Sequence, residues 1–215
     1  MSLVLPGFGL LLEGRNLVAP LDLAIEASEI VTLMGPSGCG KSSLLSAIAG
    51  TLQLPLSMVG DVRLNGASLL GVVPERRRVG RLFQDDLLFP HMTVGENLLF
   101  GMTKGERIVR EAKMRAALRD VGLEGFADRA PHTLSGGQRQ RVALMRSLLA
   151  EPQAMLLDEP FNKLDSALRA DIRSSTFDLL KRRGTPTLLV THDIADAPAG
   201  GRVFEIEDGE VKHVR

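Results

Sequence analysis

The stretch Gly35-Pro36-Ser37-Gly38-Cys39-Gly40-Lys41-Ser42 decides the fold of this chain. It has the pattern G-x-x-x-x-G-K-[ST], in which glycines let successive backbone N–H groups turn towards phosphate oxygens. A helix predicted to begin near Lys41 adds free N–H groups and the positive end of its dipole. We therefore expect Lys41 to contact the β- and γ-phosphates of a nucleotide and the Ser42 hydroxyl to bind Mg²⁺. The residues predicted to hold the nucleotide are Gly35, Pro36, Ser37, Gly38, Cys39, Gly40, Lys41, Ser42 and Ser43.

The segments around this loop predict a largely parallel sheet. The apolar, β-branched run 29–34 leads into the loop as a strand. Runs 154–157 and 187–190 are apolar without alternation, which is typical of parallel strands buried on both faces. The segment 166–183 between them predicts a crossover helix, and hence a right-handed parallel α/β unit. Further strands are predicted at residues 1–12, 17–25, 62–64 and 79–83.

The middle third of the chain has a different, helical periodicity. Apolar residues recur at helical spacing at Val94, Leu98 and Leu99 and then at Val109, Ala112, Ala116 and Leu118, and residues 136–150 predict another helix. We expect a single domain over residues 1–215. It comprises a parallel core at about 1–83 and 151–215 with an antiparallel β edge, and an inserted α-helical subdomain at about 84–150.

Composition excludes several classes of function. Lys and Arg number 26 and Asp and Glu also number 26, so no broad positive charge attracts nucleic acid or anionic lipid. The single cysteine, Cys39, excludes an internal disulfide and favours a reducing compartment. No apolar run approaches the ~18 residues that span a bilayer. Any work at a membrane is then expected to be done from outside the lipid.

A pair of carboxylates follows the buried run 154–157. Ligands of parallel α/β sheets bind beyond the carboxyl ends of the strands, which places Asp158 to hold Mg²⁺. Neighbouring strand residues point to opposite sides, so we expect Glu159 to face a different target, the attacking water. The alternative is a solvated acidic turn before Pro160.

The segment Leu134-Ser135-Gly136-Gly137-Gln138 resembles the signature sequence of ATP-binding cassette (ABC) ATPases. Gln84 resembles the Q-loop glutamine of that family, and Thr191-His192-Asp193 resembles its switch histidine segment. Leu164-Asp165 resembles the end of its D-loop. These motifs occur in the order of the family, and together with the phosphate loop they extend the resemblance over nearly the whole chain. The fold that it implies is a P-loop NTPase with a RecA-like parallel core.

The resemblance also implies a division of roles between two copies of the chain. Ser135, Gly136, Gly137 and Gln138 open a helix whose N–H groups face the γ-phosphate of ATP bound by the opposite copy. Two copies then hold two ATP molecules head to tail. His192 is implied to sense the γ-phosphate, and Gln84 to contact Mg²⁺ or water and to report nucleotide state to a membrane partner. The residues predicted to be catalytic are Glu159, His192, Lys41 and Gln84, and those predicted to bind metal are Ser42, Gln84 and Asp158.

The chain departs from the family pattern at two places. The family stacks adenine on an aromatic residue, whereas the matching position here is Leu12, with Phe8 as a displaced candidate. The D-loop has Asn162-Lys163 where Ser-Ala is usual, which leaves open whether Lys163 lies at a dimer interface or in solvent.

The predicted function is ATP hydrolysis coupled to movement of transmembrane permease subunits, with ATP and Mg²⁺ as cofactors. The protein is expected on the cytoplasmic face of the membrane as a homodimer, indirectly served by a substrate-binding protein and without nucleic acid. The stretch from Phe83 to Val94 resembles bacterial importers, and the apolar residues 85–95 predict a permease-binding groove, with ordinary core packing as the alternative. An exporter or a soluble, non-transporting ABC ATPase remains an alternative.

Overall fold

A computed structural model describes residues 1–102, 105–162, 164 and 166–215, and of residues 166–168 it describes the backbone only. The chain divides into two compact units. The first comprises Met1–Arg81, Gln153–Glu159 and Phe177–Arg215. The second comprises Leu82–Pro152 and Pro160–Thr176.

The elements occur in mixed order along the chain. The β-strands are β1 Ser2–Leu12, β2 Arg15–Glu26, β3 Ile30–Met34, β4 Leu56–Val59, β5 Arg63–Leu64, β6 Ala67–Ser68, β7 Val79–Leu82, β8 Ala154–Asp158, β9 Thr187–Val190, β10 Val203–Glu207 and β11 Glu210–His213. The α-helices are α1 Lys41–Ala49, α2 Val94–Gly101, α3 Arg107–Asp120, α4 Gly136–Leu149 and α5 Ser166–Arg182.

A six-stranded sheet positions the chemistry of the first unit, in the order β11-β10-β3-β9-β8-β7. Strand β3 runs parallel to β9 and to β10, and β8 runs parallel to β9. All residues of β8 and β9 are buried, which confirms the prediction made from their unbroken apolar runs. The phosphate loop after β3 and the carboxylates at the end of β8 therefore follow parallel strands of one sheet.

A second, antiparallel sheet completes the first unit. It has the order β2-β1-β5-β6, with β4 also paired to β1, so the predicted antiparallel edge is a sheet of its own. The core is built from both sheets and α1. Helix α1 buries Leu44, Leu45 and Ile48 in this core. Strands β4, β6, β10 and β11 were not predicted from the sequence.

The second unit contains three helices that pack together, since α2 contacts both α3 and α4. Helix α4 matches the prediction for residues 136–150 and buries Val142, Met145 and Leu149. Not all of the apolar residues whose spacing predicted α3 lie on its buried face. Val109 is 48% exposed and Ala112 is exposed, because the buried face of α3 is formed by Met114, Ala117 and Leu118.

Candidate functional site

The phosphate loop depends on glycines at positions that a side chain would disrupt. Gly35 has φ 148° and Gly40 has φ 101°, in the region that L-residues rarely adopt. A Cβ on Gly35 would lie 2.8 Å from the Ile206 carbonyl oxygen, and one on Gly40 would lie 3.0 Å from a Val18 methyl group. Helix α1 begins directly after Gly40 with no side-chain cap. Its first N–H groups are thus not capped by a side chain.

Lys41 is buried inside this loop at 5% exposure. Its Nζ donates hydrogen bonds to the carbonyl oxygens of Gly35 and Pro36, both at 2.7 Å. The half-buried Cys39 has its Sγ 3.8 Å from the same Nζ. A positive charge is therefore fixed at the centre of the loop, as phosphate binding requires.

The structure brings together Asp158 and Ser42, two of the residues predicted to bind metal. The Ser42 hydroxyl donates to Asp158 Oδ1 at 2.9 Å, and Asp158 is only 5% exposed. These hard oxygen atoms are ligands that Mg²⁺ prefers. The other carboxylate oxygen, Oδ2, accepts a hydrogen bond from Arg81 Nη2 at 2.8 Å. Arg81 was not predicted. Its only signal in the sequence is a charge within an otherwise apolar strand.

Glu159 turns away from Asp158 for a reason that differs from the predicted one. Strand β8 ends at Asp158, and Glu159 has φ 46°, so strand alternation does not orient it. A left-handed conformation is uncommon for a non-glycine residue and is concentrated at functional sites. The Glu159 N–H donates to the Val190 carbonyl at 2.9 Å, which fixes the turn. Glu159 Oε1 lies 3.5 Å from His192 Nδ1, so these two predicted residues are adjacent.

His192 follows β9 and its side chain is 54% exposed. The loop that carries it is held by a buried pair that sequence reasoning missed. The Thr191 hydroxyl donates to Asp196 Oδ2 at 2.8 Å and accepts from the Asp193 N–H at 3.1 Å. Both Thr191 and Asp196 are fully buried. The backbone on either side of this exposed imidazole is thereby fixed.

The signature residues form an ordered helix start in the second unit. Ser135 is the N-cap of α4: its hydroxyl accepts from the Gln138 N–H at 3.2 Å, and its own N–H donates to Gln138 Oε1 at 2.9 Å. In this capping box the backbone N–H of Gln138 is already bonded to the Ser135 hydroxyl. Gly136 and Gly137, the first two helical residues, carry the remaining N–H groups of this predicted site.

Gln84 lies in the same unit, exposed in the segment that follows β7. Downstream of it, Asp86 Oδ2 accepts a hydrogen bond from Arg139 Nε of α4 at 2.8 Å. Arg146 Nη1 donates to the Leu87 carbonyl at 2.8 Å, and burial lowers the pKa of this guanidinium while Asp86 opposes that effect. The signature helix and the segment after Gln84 are thereby tied together.

The exposure of individual side chains bears on two predictions, the permease-binding groove at residues 85–95 and the adenine contact. Leu88 is buried whereas Leu87 is 53% exposed, so both core packing and an exposed apolar surface occur within residues 85–95. Phe8 is fully buried in the core and is excluded as an adenine contact, but Leu12 is 41% exposed. Lys163 and Asp165 of the predicted D-loop lie outside the described residues.

The family model for ABC transporters matches residues 18–162. This chain belongs to the ABC transporter family. The match spans the phosphate loop, the Gln84 segment, the signature and the Asp158-Glu159 pair. It confirms the resemblance drawn from the motifs. The protein is accordingly an ATP-binding subunit of an ABC transporter and an ATPase.

Curated relatives agree with this assignment. The chain is 43% identical over 198 residues to the uncharacterized ABC transporter ATP-binding protein YnjD of Escherichia coli strain K12, covering 91% of this chain and 90% of YnjD. It is 42% identical over 200 residues to the spermidine/putrescine import ATP-binding protein PotA of Chromobacterium violaceum, covering 92% of this chain. It is also 42% identical over 208 residues to the Fe(3+) ions import ATP-binding protein FbpC of Mesorhizobium japonicum, again covering 92%. The chain spans only 55% of PotA and 55% of FbpC.

A solved structure confirms the P-loop NTPase fold. CbiO1 of Clostridium perfringens, part of the ABC transporter complex cbiONQ, superposes with a TM-score of 0.85 at 27% identity. The match covers 98% of this chain and 86% of CbiO1. Within the described ranges, we find no helix with the length and apolar character needed to cross a membrane.

Proposed function

We propose that this ABC ATPase works as a homodimer in which each copy supplies half of each ATP site, and that ATP binding and hydrolysis drive the permease of an importer. One observation carries the proposal. The chain has two helix starts suited to phosphate, at Gly40 in the first unit and at Ser135 in the second, and only the first has a buried lysine. The binding site for a phosphate group at the first helix start is then completed by the second helix start of another copy.

The phosphate loop binds the nucleotide. Lys41 exchanges its hydrogen bonds to the Gly35 and Pro36 carbonyls for bonds to the β- and γ-phosphate oxygens. Because the ammonium is already buried and directed into the loop, this exchange needs only a small rearrangement. Catalysis in this class rests on positioning and charge neutralisation more than on covalent chemistry.

The metal-binding residues are proposed to be Ser42 and Asp158, with Gln84 as a further oxygen donor. The oxygen atoms of Ser42 and Asp158 lie 2.9 Å apart, and this donor set suits Mg²⁺. When bound, Mg²⁺ neutralises negative charge on the phosphates. The chain's own contribution is the Asp158 carboxylate, which is already buried and needs little reorientation to bind the ion.

Hydrolysis is assigned to Glu159 and His192. The Glu159 carboxylate accepts a proton from, or polarises, the attacking water. His192, with Nδ1 at 3.5 Å from Glu159 Oε1, holds that carboxylate and senses the γ-phosphate. From the opposite copy, the Ser135 hydroxyl and the N–H groups of Gly136 and Gly137 stabilise charge on the γ-phosphate, and Gln138 keeps their helix capped.

Transport is inferred from the relatives. PotA and FbpC are named import ATP-binding proteins, which supports import, a permease partner and, indirectly, a substrate-binding protein. The exposed Leu87 and the half-buried Phe89 are proposed to contact the permease from the cytoplasmic side of the membrane. Co-purification with membrane subunits distinguishes this proposal from a soluble ATPase that has no permease.

The test is Glu159→Gln, assayed for ATP hydrolysis and for dimerisation by light scattering with ATP. We expect hydrolysis to fall at least ~100-fold because the base is lost. ATP binding is kept, so a dimer that rarely opens accumulates. The matched control is Glu151→Gln, another glutamate with positive φ, 53°, which should change neither property. A wild-type rate per molecule that is unchanged on extreme dilution, with no self-association, would contradict the proposal.

A further inference from the structure

Arg81 is a charged residue in an otherwise apolar strand, β7, whose sequence is Val-Gly-Arg-Leu. Its side chain is only 10% exposed. Nη2 donates to Asp158 Oδ2 at 2.8 Å and to the Ser42 carbonyl at 3.3 Å, while Nη1 donates to the Ser46 hydroxyl at 2.8 Å. One guanidinium thus joins the end of β8 to the first two turns of α1.

The two oxygen atoms of Asp158 have different partners. Oδ1 accepts from the Ser42 hydroxyl at 2.9 Å, and Oδ2 accepts from Arg81. The planar guanidinium holds a carboxylate in one orientation better than a flexible ammonium can. Arg81 therefore leaves Oδ1 directed towards Ser42, where the proposed metal site lies.

The same guanidinium affects the charge of the site. A buried carboxylate without a counter-charge is strongly unfavourable, so Arg81 stabilises Asp158 when no cation is near. The positive charge of Arg81 also repels a metal ion that approaches Asp158. This repulsion is weakly screened because the side chains of Arg81 and Asp158 are both buried. Orientation and repulsion have opposite effects on a metal ion.

We propose that Arg81 is a positioning residue and an internal counter-charge: it holds Asp158 on α1 before metal binds and raises the Mg²⁺ concentration at which the site fills. The inference deepens the proposed function and rests on it, since it takes Asp158 and Ser42 as metal ligands. Repulsion outweighs orientation here because the Ser42 hydroxyl continues to orient Asp158 when Arg81 is replaced. Arg81 does not contact the reacting atoms in this role.

The test is Arg81→Met, which removes the charge but keeps an unbranched apolar side chain. Mn²⁺ binding is measured by electron paramagnetic resonance with a non-hydrolysable ATP analogue, and thermal unfolding is measured in EDTA. We expect half-saturation at roughly three- to tenfold lower Mn²⁺. We also expect the Tm in EDTA to fall by ~5–10 °C, since Asp158 loses its counter-charge. Added Mn²⁺ with the analogue should recover more of the Tm in this variant than in the wild type.

Two variants separate this role from ordinary packing. Arg81→Lys keeps the charge and should bind Mn²⁺ as the wild type does, with part of the Tm loss restored. Arg63→Met breaks a similar arginine–aspartate pair, Arg63–Asp61 at 2.8 Å, whose arginine is 52% exposed. It should change neither measurement. If Arg81→Met does not fold, Arg81→Gln, neutral but able to donate hydrogen bonds, takes the same measurements.

The outcomes are distinct. Unchanged or weaker Mn²⁺ binding in the neutral variants, with only a lower Tm, would overturn the proposal and leave Arg81 as a structural residue. An unchanged Tm of Arg81→Met in EDTA would overturn the proposed role of Arg81 as a counter-charge for Asp158. Failure of the wild type to bind Mn²⁺ with the ATP analogue at all would instead reject the proposed metal site itself, and this inference with it.

Discussion

The two helix starts that the sequence assigns to phosphate are built differently. Helix α1 begins after Gly40, whose φ is 101° and which offers no side-chain cap. Helix α4 begins after Ser135, which has ordinary extended backbone angles and a complete capping box with Gln138. The first start leaves its backbone N–H groups to an external ligand, whereas the second satisfies two of its own internally, those of Ser135 and Gln138.

This difference separates a primary binding site from a complementary one. An uncapped helix start gains stability when an anion binds, because its free N–H groups then acquire a partner. A capped start is stable alone and adds only the amides of Gly136 and Gly137 to a phosphate held elsewhere. We therefore expect substitutions at the first start to abolish ATP binding, and those at the second to spare it while reducing hydrolysis.

Lys41→Ala should produce the largest effect. It removes the buried ammonium that the phosphate loop directs inward, so hydrolysis is expected to fall ~10²–10³-fold and ATP binding to weaken strongly. Steady-state hydrolysis and equilibrium binding of a fluorescent ATP analogue provide the measurements. Lys113→Ala is the control, because Lys113 is 51% exposed and pairs with Glu151 at the surface. Wild-type ATP affinity in Lys41→Ala would contradict the central role of the first start.

A matched pair of glycine substitutions tests the comparison directly. Gly40→Ala forces a side chain into φ 101° and against Val18, so unfolding should become easier by about 1–3 kcal/mol and ATP binding should be lost. Gly136→Ala places alanine in the first turn of α4, where helical backbone accepts it without destabilisation. That variant should bind ATP normally but hydrolyse it at least several-fold more slowly. Equal effects of the two changes on ATP affinity would end the distinction.

The capping box of α4 offers a smaller test. Ser135→Ala should cost about 1 kcal/mol of stability and reduce hydrolysis about tenfold, because it removes both the N-cap and a proposed phosphate contact. The control is Thr93→Ala, which breaks the equivalent capping box of α2 with Glu96 in the same unit. It should cost similar stability and leave basal hydrolysis unchanged. Chemical denaturation and ATPase assays distinguish them; equal losses of hydrolysis would make Ser135 structural only.

The smallest expected effect is a pH dependence that belongs to neither helix start. Burial raises the pKa of Glu29, but hydrogen bonds from Arg202 and the Glu26 N–H, and the charge of Arg202, lower it more, so the pKa lies below 4.5. A carboxylate whose pKa is lower in the folded state stabilises the fold at pH values above its unfolded-state pKa. That stabilisation is lost as the pH falls through its folded-state pKa. Arg202→Met should cost about 0.5 kcal/mol at pH 7 and progressively less below pH ~4.5.

Denaturation at pH 7 and at pH ~3 measures the change in the free energy of unfolding that Arg202→Met causes. Lys212→Met is the control, since Lys212 and Glu207 form an exposed pair at 2.7 Å and should contribute nothing measurable. A constant effect of Arg202→Met at both pH values would assign its role to packing.

Much of the site was predictable because its signals are local. The glycine positions of the phosphate loop, the apolar runs of β8 and β9, and the S-x-x-Q pattern that caps α4 each depend on neighbours in sequence. The S-x-x-Q pattern also contained the information that the Gln138 amide is used internally, which the resemblance to a family alone did not convey. The first two of these signals were predicted because local backbone preference and local apolar pattern decide them, whereas the capping pattern was not recognised from the sequence.

Other features depend on contacts between distant segments. Arg81 meets Asp158 across 77 positions of sequence, and Ser42 meets Asp158 across 116. The turn at Glu159 requires the Val190 carbonyl of a neighbouring strand. No periodicity encodes such pairings, which is why the strand alternation rule gave the wrong reason for the direction of Glu159.

By itself, the sequence determined that this chain binds nucleotide phosphate, hydrolyses ATP and belongs to the ABC transporter family, because glycine spacing and short motifs carry that chemistry. Only the tertiary structure decided which charges face one another: that Arg81 occupies one oxygen of Asp158, that His192 lies beside Glu159, and that Phe8 is sealed in the core. Charge and burial depend on what the fold brings within a few ångströms, and that is a property of packing.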